Sequence, residues 1–271
     1  MFADLHIHSI YSDSTRSPEE IIEVAKNQCV SLLSVCDHGS IASYERLADA
    51  CKKYGISYAL GIEMGGMMNG EGYHLLAYSF DQNNKKMIDF IRQENEKGEK
   101  ECEAMIVKMC CEYPQLSLSD YLEYNPTRES GGWKYIHYAV ARKVFETYEE
   151  AGAVIFPTYY EAGEDACSVE DFCYHVKQAG GVPVLAHPGN QTPEQLASLL
   201  QDMQERGVEG IECFYPSHSK GTTEFLINYC RKFDLRITGG SDCHGNYDKS
   251  VGFTIGSLKT PLDMLDLKGI V

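Results

Sequence analysis

A chain of 271 residues, 43% of them hydrophobic, is long enough to bury the core of one α/β barrel or of two small domains. Its formal net charge of −16 argues against a duplex DNA partner, because nonspecific affinity for nucleic acid comes from Lys and Arg that neutralise phosphates. No apolar run reaches the length of a transmembrane helix and the first residues already favour a strand, so we expect a cytoplasmic protein with no signal peptide and no membrane partner.

The first eighty residues alternate between strand and helix signals. Ser17-Pro18 begins a predicted helix, because serine caps a first turn, proline suits that turn and Glu20 completes a capping box. A second helix is predicted from Ser40 to residue 55, flanked by apolar strands at 32–36 and 56–60. The strand that ends at Glu63 then turns into a hairpin strand over 73–80.

Between residues 81 and 165 this alternation stops. A long polar helix with apolar residues at helical spacing is followed by an irregular stretch rich in Pro, Gly and Tyr. We predict an inserted, mostly helical lid subdomain over 81–165, with the barrel formed by residues 1–80 and 166–271. In the insertion, Tyr159 and Tyr160 with Phe156 could stack on a base, although packing or a lid role is favoured.

The alternation resumes near residue 168. Helices are predicted from Ser168, from Thr192-Pro193 and near 222–232, and strands over 182–186, 208–213 and 235–238. About seven strands and six helices result, which predicts an α/β fold interrupted once.

Side chains that bind metals recur at the ends of these apolar runs. In Asp4-Leu-His6-Ile-His8-Ser9, two imidazoles point the same way from an extended segment, because strand side chains alternate faces. The ends of strands are where barrels place their chemistry, and a mixture of imidazoles and carboxylates suits Zn, Mn or Fe in hydrolysis. The further candidates, in chain order, are Asp13, Asp37-His38-Gly39, Glu63, His74, His187, Asp242 and His244.

Eleven cysteines are present, but their number is odd, their spacing is irregular and no Cys-x-x-Cys pair occurs. Most lie in apolar periodic segments, where a free thiol behaves as a small hydrophobe. We therefore expect reduced cysteines. Cys243 stands apart because it lies between Asp242 and His244, where oxidation or capture of a soft metal would matter.

With these residues assembled, the chain resembles the PHP (polymerase and histidinol phosphatase) family of metal-dependent phosphoesterases. The resemblance covers residues 1 to 80 and about 168 to 250. It implies the PHP fold, a distorted (β/α)7 TIM-like barrel with a trinuclear metal site at the carboxyl ends of its strands. The motifs that carry it are Asp4-Leu-His6-Ile-His8-Ser9 with Ser12-Asp13, Asp37-His38, Ala186-His187-Pro188 and Ser241-Asp242-Cys-His244.

The resemblance also implies how two or three divalent ions, Mn, Fe or Zn, would be held. Glu63 would bridge the first two ions. Asp4 and Asp37 are better interpreted as groups that orient a ligand or cap a loop, since a neighbouring carboxylate can position an imidazole. The three implied ligand sets are His6, His8, Glu63 and Asp242; then Glu63, His74 and His187; then Asp13, His38 and His244.

The implied reaction is hydrolysis of the phosphate monoester of a nucleotide, 5'-AMP or a 3',5'-bisphosphonucleoside, with 5'-3' trimming of short single-stranded RNA in some members. Clustered ions would lower the pKa of a bound water to give hydroxide and would neutralise the phosphoryl oxygens. Glu63 and His218 are the catalytic candidates. His218 lies in Tyr215-Pro-Ser-His218-Ser219, a stretch that resembles this subgroup. It would protonate the leaving group, with contact to the substrate phosphate or a structural role as the alternatives.

Two alternatives stay open: a histidinol-phosphate phosphatase, and a non-catalytic metal-dependent module that binds a nucleotide or another partner. The chain also departs from the family, with Ser14 where glycine is common and Tyr135 where a basic residue often precedes the histidine at 137. The phosphate contacts expected in the insertion are therefore candidates only, since a solvated helix face explains them equally well. They are Lys134, His137 and Arg142.

Overall fold

The predicted alternation of strands and helices is present in the computed structural model, which describes residues 1–163, 165–246 and 252–271. Within these residues the strands are β1 (Phe2–Asp4), β2 (Val30–Leu33), β3 (Ser57–Tyr58), β4 (Gly61–Met68), β5 (Glu71–Tyr78), β6 (Val182–Leu185), β7 (Gly210–Phe214), β8 (Arg236–Gly239) and β9 (Thr260–Pro261). The helices are α1 (Pro18–Asn27), α2 (Tyr44–Tyr54), α3 (Lys85–Cys110), α4 (Leu118–Glu123), α5 (Lys134–Ala141), α6 (Tyr148–Tyr159), α7 (Val169–Gln178), α8 (Pro193–Glu205) and α9 (Lys220–Phe233), with short 3-10 turns at Arg128–Ser130 and Leu262–Met264.

Local capping chemistry explains where several helices begin. The Ser17 hydroxyl accepts a hydrogen bond from the amide of Glu20, whose carboxylate accepts one from the Ser17 amide at 2.8 Å. Thr192 and Gln195 form the same reciprocal pair at the start of α8. Both helix starts are confirmed, because each box satisfies amides that have no partner inside the helix.

The start of α2 differs from the prediction. Ser40 is expected to open this helix, but α2 begins at Tyr44. The hydroxyl of Ser43 donates to the buried carboxylate of Asp37 at 2.8 Å instead of capping the helix. The segment after Asp37-His38 is thus held by a buried carboxylate, and this tertiary contact overrides the local helix signal.

The strands pair as two sheets, in the orders β3-β2-β1-β9 and β4-β5-β6-β7-β8. The α/β class is confirmed, whereas a single closed barrel sheet is not found among the described residues. The sheets meet through isolated backbone pairs, Ile7 with Cys243 and His38 with Glu63, and through the Leu5 amide, which donates to the Gly239 carbonyl at 3.1 Å. Regular pairing is interrupted where the candidate ligands leave the strands.

The helices between 105 and 159 have an apolar cluster of their own, which includes Met105, Tyr138 and Ile155. Tyr159 belongs to it, and its hydroxyl donates to Glu112 at 2.7 Å. The Tyr160 hydroxyl donates to Glu101 at 3.0 Å, which accounts for the tyrosine pair by packing. That residues 81–165 form a lid subdomain stays a prediction.

The cysteines agree with the expectation of reduced thiols. No disulfide joins the eleven cysteines, all of which are described. Burial raises the pKa of Cys36 and Cys51 to about 12, and it raises the pKa of Cys243 as well. Over the described ranges, no helix combines the length and apolar character needed to cross a bilayer.

Gly240 sets the distance between the end of β8 and the extension of β1. A Cβ on Gly240 would overlap the backbone nitrogen and Cβ of His6. We expect Gly240→Ala to lower the free energy of unfolding by about 1–3 kcal/mol, the usual cost of overpacking, as measured by urea denaturation. The matched control is Gly98→Ala inside α3, where nothing lies within 4 Å of the added methyl group. It should be neutral or raise stability by up to about 1 kcal/mol, and equal losses in both variants would contradict this account.

Candidate metal centre

The structure brings all nine predicted ligand residues to one place. Eight lie in or after β1, β2, β4, β5, β6 and β8, and Asp13 lies in the loop before α1. In four overlapping groups, the potential ligand atoms of the members lie within 4.8 Å of one another. The groups are His6, His8, Glu63 and Asp242; Glu63, His74 and His187; His8, Asp13, His38 and His244; and His6, His187 and Glu212.

Glu63 is the centre of this arrangement, and its side chain is 1% exposed. Its two carboxylate oxygens face different sets of imidazoles, which is the geometry of a carboxylate that bridges two cations. Oε2 faces the Nε2 atoms of His6 at 3.2 Å, His8 at 3.1 Å and His38 at 3.4 Å, whereas Oε1 faces His74 Nδ1 at 2.8 Å and His187 Nε2 at 3.4 Å.

The group around His6 fits a metal ion. His6 Nε2 lies 3.2 Å from His8 Nε2 and 3.3 Å from Asp242 Oδ1. Because the Nδ1–H of His6 donates to Glu212, its Nε2 presents a lone pair to these groups in the neutral ring that binds a metal ion. Lone pairs that face one another need a cation between them, and a tetrahedral ion with bonds of 2.0–2.1 Å separates its ligand atoms by about 3.3 Å.

The third group is more open. Asp13 Oδ2 lies 3.3 Å from His244 Nε2 and 3.8 Å from His38 Nε2, and Asp13 Oδ1 lies 3.5 Å from His8 Nδ1. The donor types are again imidazole and carboxylate, which suit Mn, Fe and Zn alike. The nine-residue ligand assignment itself remains a prediction.

The electrostatics of the centre favour positive charge within it. Burial alone would raise the pKa of Glu63, but the charges of His38 and His6 outweigh it and hold this pKa well below its usual range. Burial would also lower the pKa of His8, yet hydrogen bonds to Asp242 and Glu63 raise it to about 10. The Glu63 carboxylate is therefore ionised, and it stabilises any cation that replaces the protons.

Two ligand residues have unusual backbone angles. His187 has φ of +22° and Asp242 has φ of +50°, in a region that side chains other than glycine rarely adopt. The Asp242 amide donates to the His6 carbonyl at 2.7 Å, which holds this conformation. Such strain costs about 1–3 kcal/mol and persists where surrounding contacts impose it, as they do here.

The sequence analysis missed Glu212, a fully buried carboxylate on β7. It accepts hydrogen bonds from His6 Nδ1 at 3.1 Å and from the His187 amide at 3.0 Å. A carboxylate in this place fixes the ring orientation of His6 and the loop of His187. The sequence feature that could have indicated Glu212 is an acidic residue within an otherwise apolar strand. Tyr215 was also missed as a contact, and its hydroxyl donates to Asp242 Oδ2 at 2.8 Å.

Asp4 and Asp37 cap loops, as predicted. Asp4 accepts from the amides of Ser241 at 2.8 Å and Gly256 at 2.7 Å. Asp37 accepts from the amide and the hydroxyl of Ser9, both at 2.7 Å. Both carboxylates thereby hold the ligand-bearing segments without joining a ligand group.

His218 lies in the wall of the centre. Its Nδ1 donates to the Cys213 carbonyl at 3.1 Å, and its Nε2 accepts from the Gly189 amide at 3.3 Å. Burial lowers the pKa of His218, so the neutral ring is favoured. This geometry favours a role in holding the loop after His187 over the predicted transfer of a proton, which stays untested.

The three phosphate-contact candidates each have a partner inside the insertion. The Arg142 guanidinium donates to the carboxylate of Asp120 at 2.5 and 2.6 Å. His137 Nε2 lies 2.6 Å from the Gly131 carbonyl oxygen. Lys134 Nζ lies 4.5 Å from the centre of a tyrosine ring, that of residue 121. Their roles in binding phosphate remain predictions, whereas the neighbouring Trp133 lies beside the metal centre.

Comparison with known proteins agrees with this site. The PHP domain matches residues 4–153, which is more than half of the chain. The chain therefore belongs to the PHP domain family, whose members of this kind are metal-dependent phosphoesterases. A solved structure from Bifidobacterium adolescentis, provisionally assigned as a metal-dependent phosphoesterase, superimposes with a TM-score of 0.80 at 25% identity, over 98% of this chain and 94% of that one.

Curated relatives differ among themselves in activity. A 5'-3' exoribonuclease of Haemophilus influenzae is 26% identical over 89% of each chain. A 3',5'-nucleoside bisphosphate phosphatase of Chromobacterium violaceum is 26% identical over 93% of this chain and 90% of its own. A phosphoribosyl 1,2-cyclic phosphate 1,2-diphosphodiesterase of Eggerthella lenta is 25% identical over 94% and 99%. The relatives thus share phosphoester hydrolysis but not one substrate.

Glu212→Gln tests the orienting carboxylate. Glutamine keeps the shape of the side chain, but its NH2 group cannot accept a hydrogen bond. Since His6 Nδ1 and the His187 amide both donate, at least one of them would then face another donor. We expect metal affinity, measured by chelator competition, to fall about 10- to 100-fold. Glu209→Gln is the control, because that half-exposed carboxylate pairs with Lys177 at 2.9 Å. Unchanged affinity in Glu212→Gln would contradict the orienting role.

Proposed function

We propose that the protein releases phosphate from nucleotides of the 5'-AMP or 3',5'-bisphosphonucleoside type, and that short 5'-phosphorylated single-stranded RNA is an extended substrate of the same site. The observation that carries the proposal is Glu63, whose two oxygens face separate sets of histidines in a buried centre. Supporting it, a nucleotide phosphatase and an exoribonuclease are among the relatives that align over most of the chain.

In this proposal the two sheets together form the distorted (β/α)7 barrel of the PHP fold, and residues 81–165 form its lid. The isolated pair between Ile7 and Cys243 and the separate apolar cluster of the insertion support this division. The lid then meets the barrel at its catalytic end, because the Gly132 amide donates to the Asp13 carbonyl at 2.6 Å.

When bound, two or three divalent ions supply a nucleophile from water at neutral pH and positive charge for the phosphoryl oxygens. The chain would hold them with the three ligand sets predicted from the sequence. Glu63 would be a ligand of the first two ions, and Glu212, which accepts from the Nδ1 of His6, would orient that ring with its Nε2 toward them. Tyr215 restrains Asp242, which leaves the other carboxylate oxygen for the ion. We assign His218 to holding the loop of His187.

His187→Ala distinguishes a loss of metal binding from a loss of overall stability. The variant loses an imidazole that faces Glu63 Oε1 at 3.4 Å. Because a bound ion contributes several kcal/mol to the transition state, we expect a lower metal content and phosphate release reduced by more than about 100-fold. In the control His175→Ala, the lost ring stacks on Phe90 at 4.3 Å, so stability falls while metal content is kept. Unchanged metal content in His187→Ala would remove it from the ligand set.

A hydrolysis screen with metal analysis tests the substrate class, with inorganic phosphate measured for the monoesters, released nucleotide for the RNA and the ring-opened monoester for the cyclic phosphate. The metal-loaded protein is offered AMP, a 3',5'-bisphosphonucleoside, short 5'-phosphorylated RNA, a ribose cyclic phosphate and histidinol phosphate. We expect the first three to be hydrolysed fastest. Fastest hydrolysis of the cyclic phosphate or of histidinol phosphate would replace the nucleotide proposal. Bound metal with no hydrolysis of any compound would favour a non-catalytic binding module.

A further inference from the structure

Trp133 is the one tryptophan of the chain, and 41% of its surface is exposed. Its ring centre lies 5.3 Å from that of His38, with the planes inclined by 45°. His38 belongs to the group of Asp13 and His244. A large aromatic side chain that borders a polar metal centre and remains partly in water has apolar surface available for a ligand.

Hydrogen bonds fix the backbone that carries this ring. The Trp133 amide donates to the Tyr148 hydroxyl at 2.8 Å, and the Gly132 amide donates to the Asp13 carbonyl at 2.6 Å. Gly131 and Gly132 have φ of +64° and +66°, and a Cβ on Gly132 would overlap the Tyr148 hydroxyl. Two consecutive glycines are thus needed to place the backbone of Trp133 beside the centre.

The surroundings of the ring favour an aromatic ligand over a second phosphate. Tyr135 lies on the side of the insertion, with ring centres 6.4 Å apart and planes inclined by 23°. Among the described residues, the ring contacts of Trp133 are with Tyr135 and His38. The cationic neighbour Lys134 packs against the ring of Tyr121 instead. The insertion therefore presents a π face beside the centre. In a nucleotide the base is one ribose away from the phosphate, so a phosphate at the centre would bring the base to this side.

We propose that Trp133 stacks on the nucleobase of the substrate while the phosphate lies at the metal centre, so that this ring determines specificity for nucleotides over phosphates of aliphatic alcohols. The inference rests on the proposed function. Stacking on a flat aromatic ring accepts every base, because each base has a π face. The site would thus select nucleotides as a class without selecting one base.

Kinetics on two matched substrates test the stacking. AMP and ribose 5-phosphate carry the same phosphate and sugar, and only AMP has a base. Stacking is worth about 1–3 kcal/mol, so Trp133→Ala should lower kcat/KM for AMP roughly 5- to 150-fold, mainly through KM, and leave ribose 5-phosphate within about twofold. Trp133→Phe should restore most of the loss. The control Leu122→Ala removes another half-exposed apolar side chain of the insertion and should change neither substrate.

Fluorescence of the wild-type holoenzyme gives a second readout that needs no variant. Because the chain has one tryptophan, its emission reports on Trp133 alone. The phosphonate analogue of AMP, whose P–C bond resists hydrolysis, should quench this emission. Methylphosphonate, which can occupy the metal centre but has no base, should not.

Three other outcomes would overturn the inference. Equal losses on AMP and ribose 5-phosphate would mean that Trp133 supports His38 or closes the site without touching the base. An unchanged kcat/KM for AMP, or quenching by both phosphonates alike, would exclude stacking. If the wild type hydrolyses neither substrate but the AMP analogue alone quenches Trp133, the proposed function fails while the stacking site stands.

Discussion

The structure depends on a buried group of electron-pair donors that cannot be stable without positive charge among them. The Nε2 atoms of His6 and His8 lie 3.2 Å from each other and 3.1–3.3 Å from carboxylate oxygens of Glu63 and Asp242, inside a core from which water is excluded. Replacing one partner would leave the remaining charges buried and unpaired, which is far more costly than the loss of one hydrogen bond. Cation binding, folding and catalysis are therefore coupled at this point.

The surrounding fold can be understood as support for that group. Glu212 and Tyr215 come from the end of β7 and restrain His6 and Asp242, whereas Asp4 and Asp37 hold the loops by accepting backbone amides. None of these four needs to bind an ion. Such partners keep ligand atoms in place before the ion arrives, so that little reorganisation accompanies binding.

The predicted metal ligands and the aromatic ring beside them come from different parts of the chain. The ligand residues come from the ends of strands, so their geometry is fixed by sheet pairing. Gly131, Gly132 and Trp133 reach the centre in a tight turn that the Tyr148 hydroxyl supports. A change in this segment would alter the surroundings of His38 without removing any predicted metal ligand.

The sequence by itself determined the α/β class, the capping boxes of Ser17 and Thr192, and the residue types of the metal centre, because these depend on local spacing and on side-chain chemistry. It could not reveal the role of Glu212, which exists only because the fold brings β7 to His6 and His187, nor the start of α2, where Asp37 accepts from the Ser43 hydroxyl. Tertiary structure also decided that Trp133, not Lys134, borders the centre. Sequence spacing specifies which way a side chain leaves its own strand or helix, whereas the neighbours it meets depend on long-range packing.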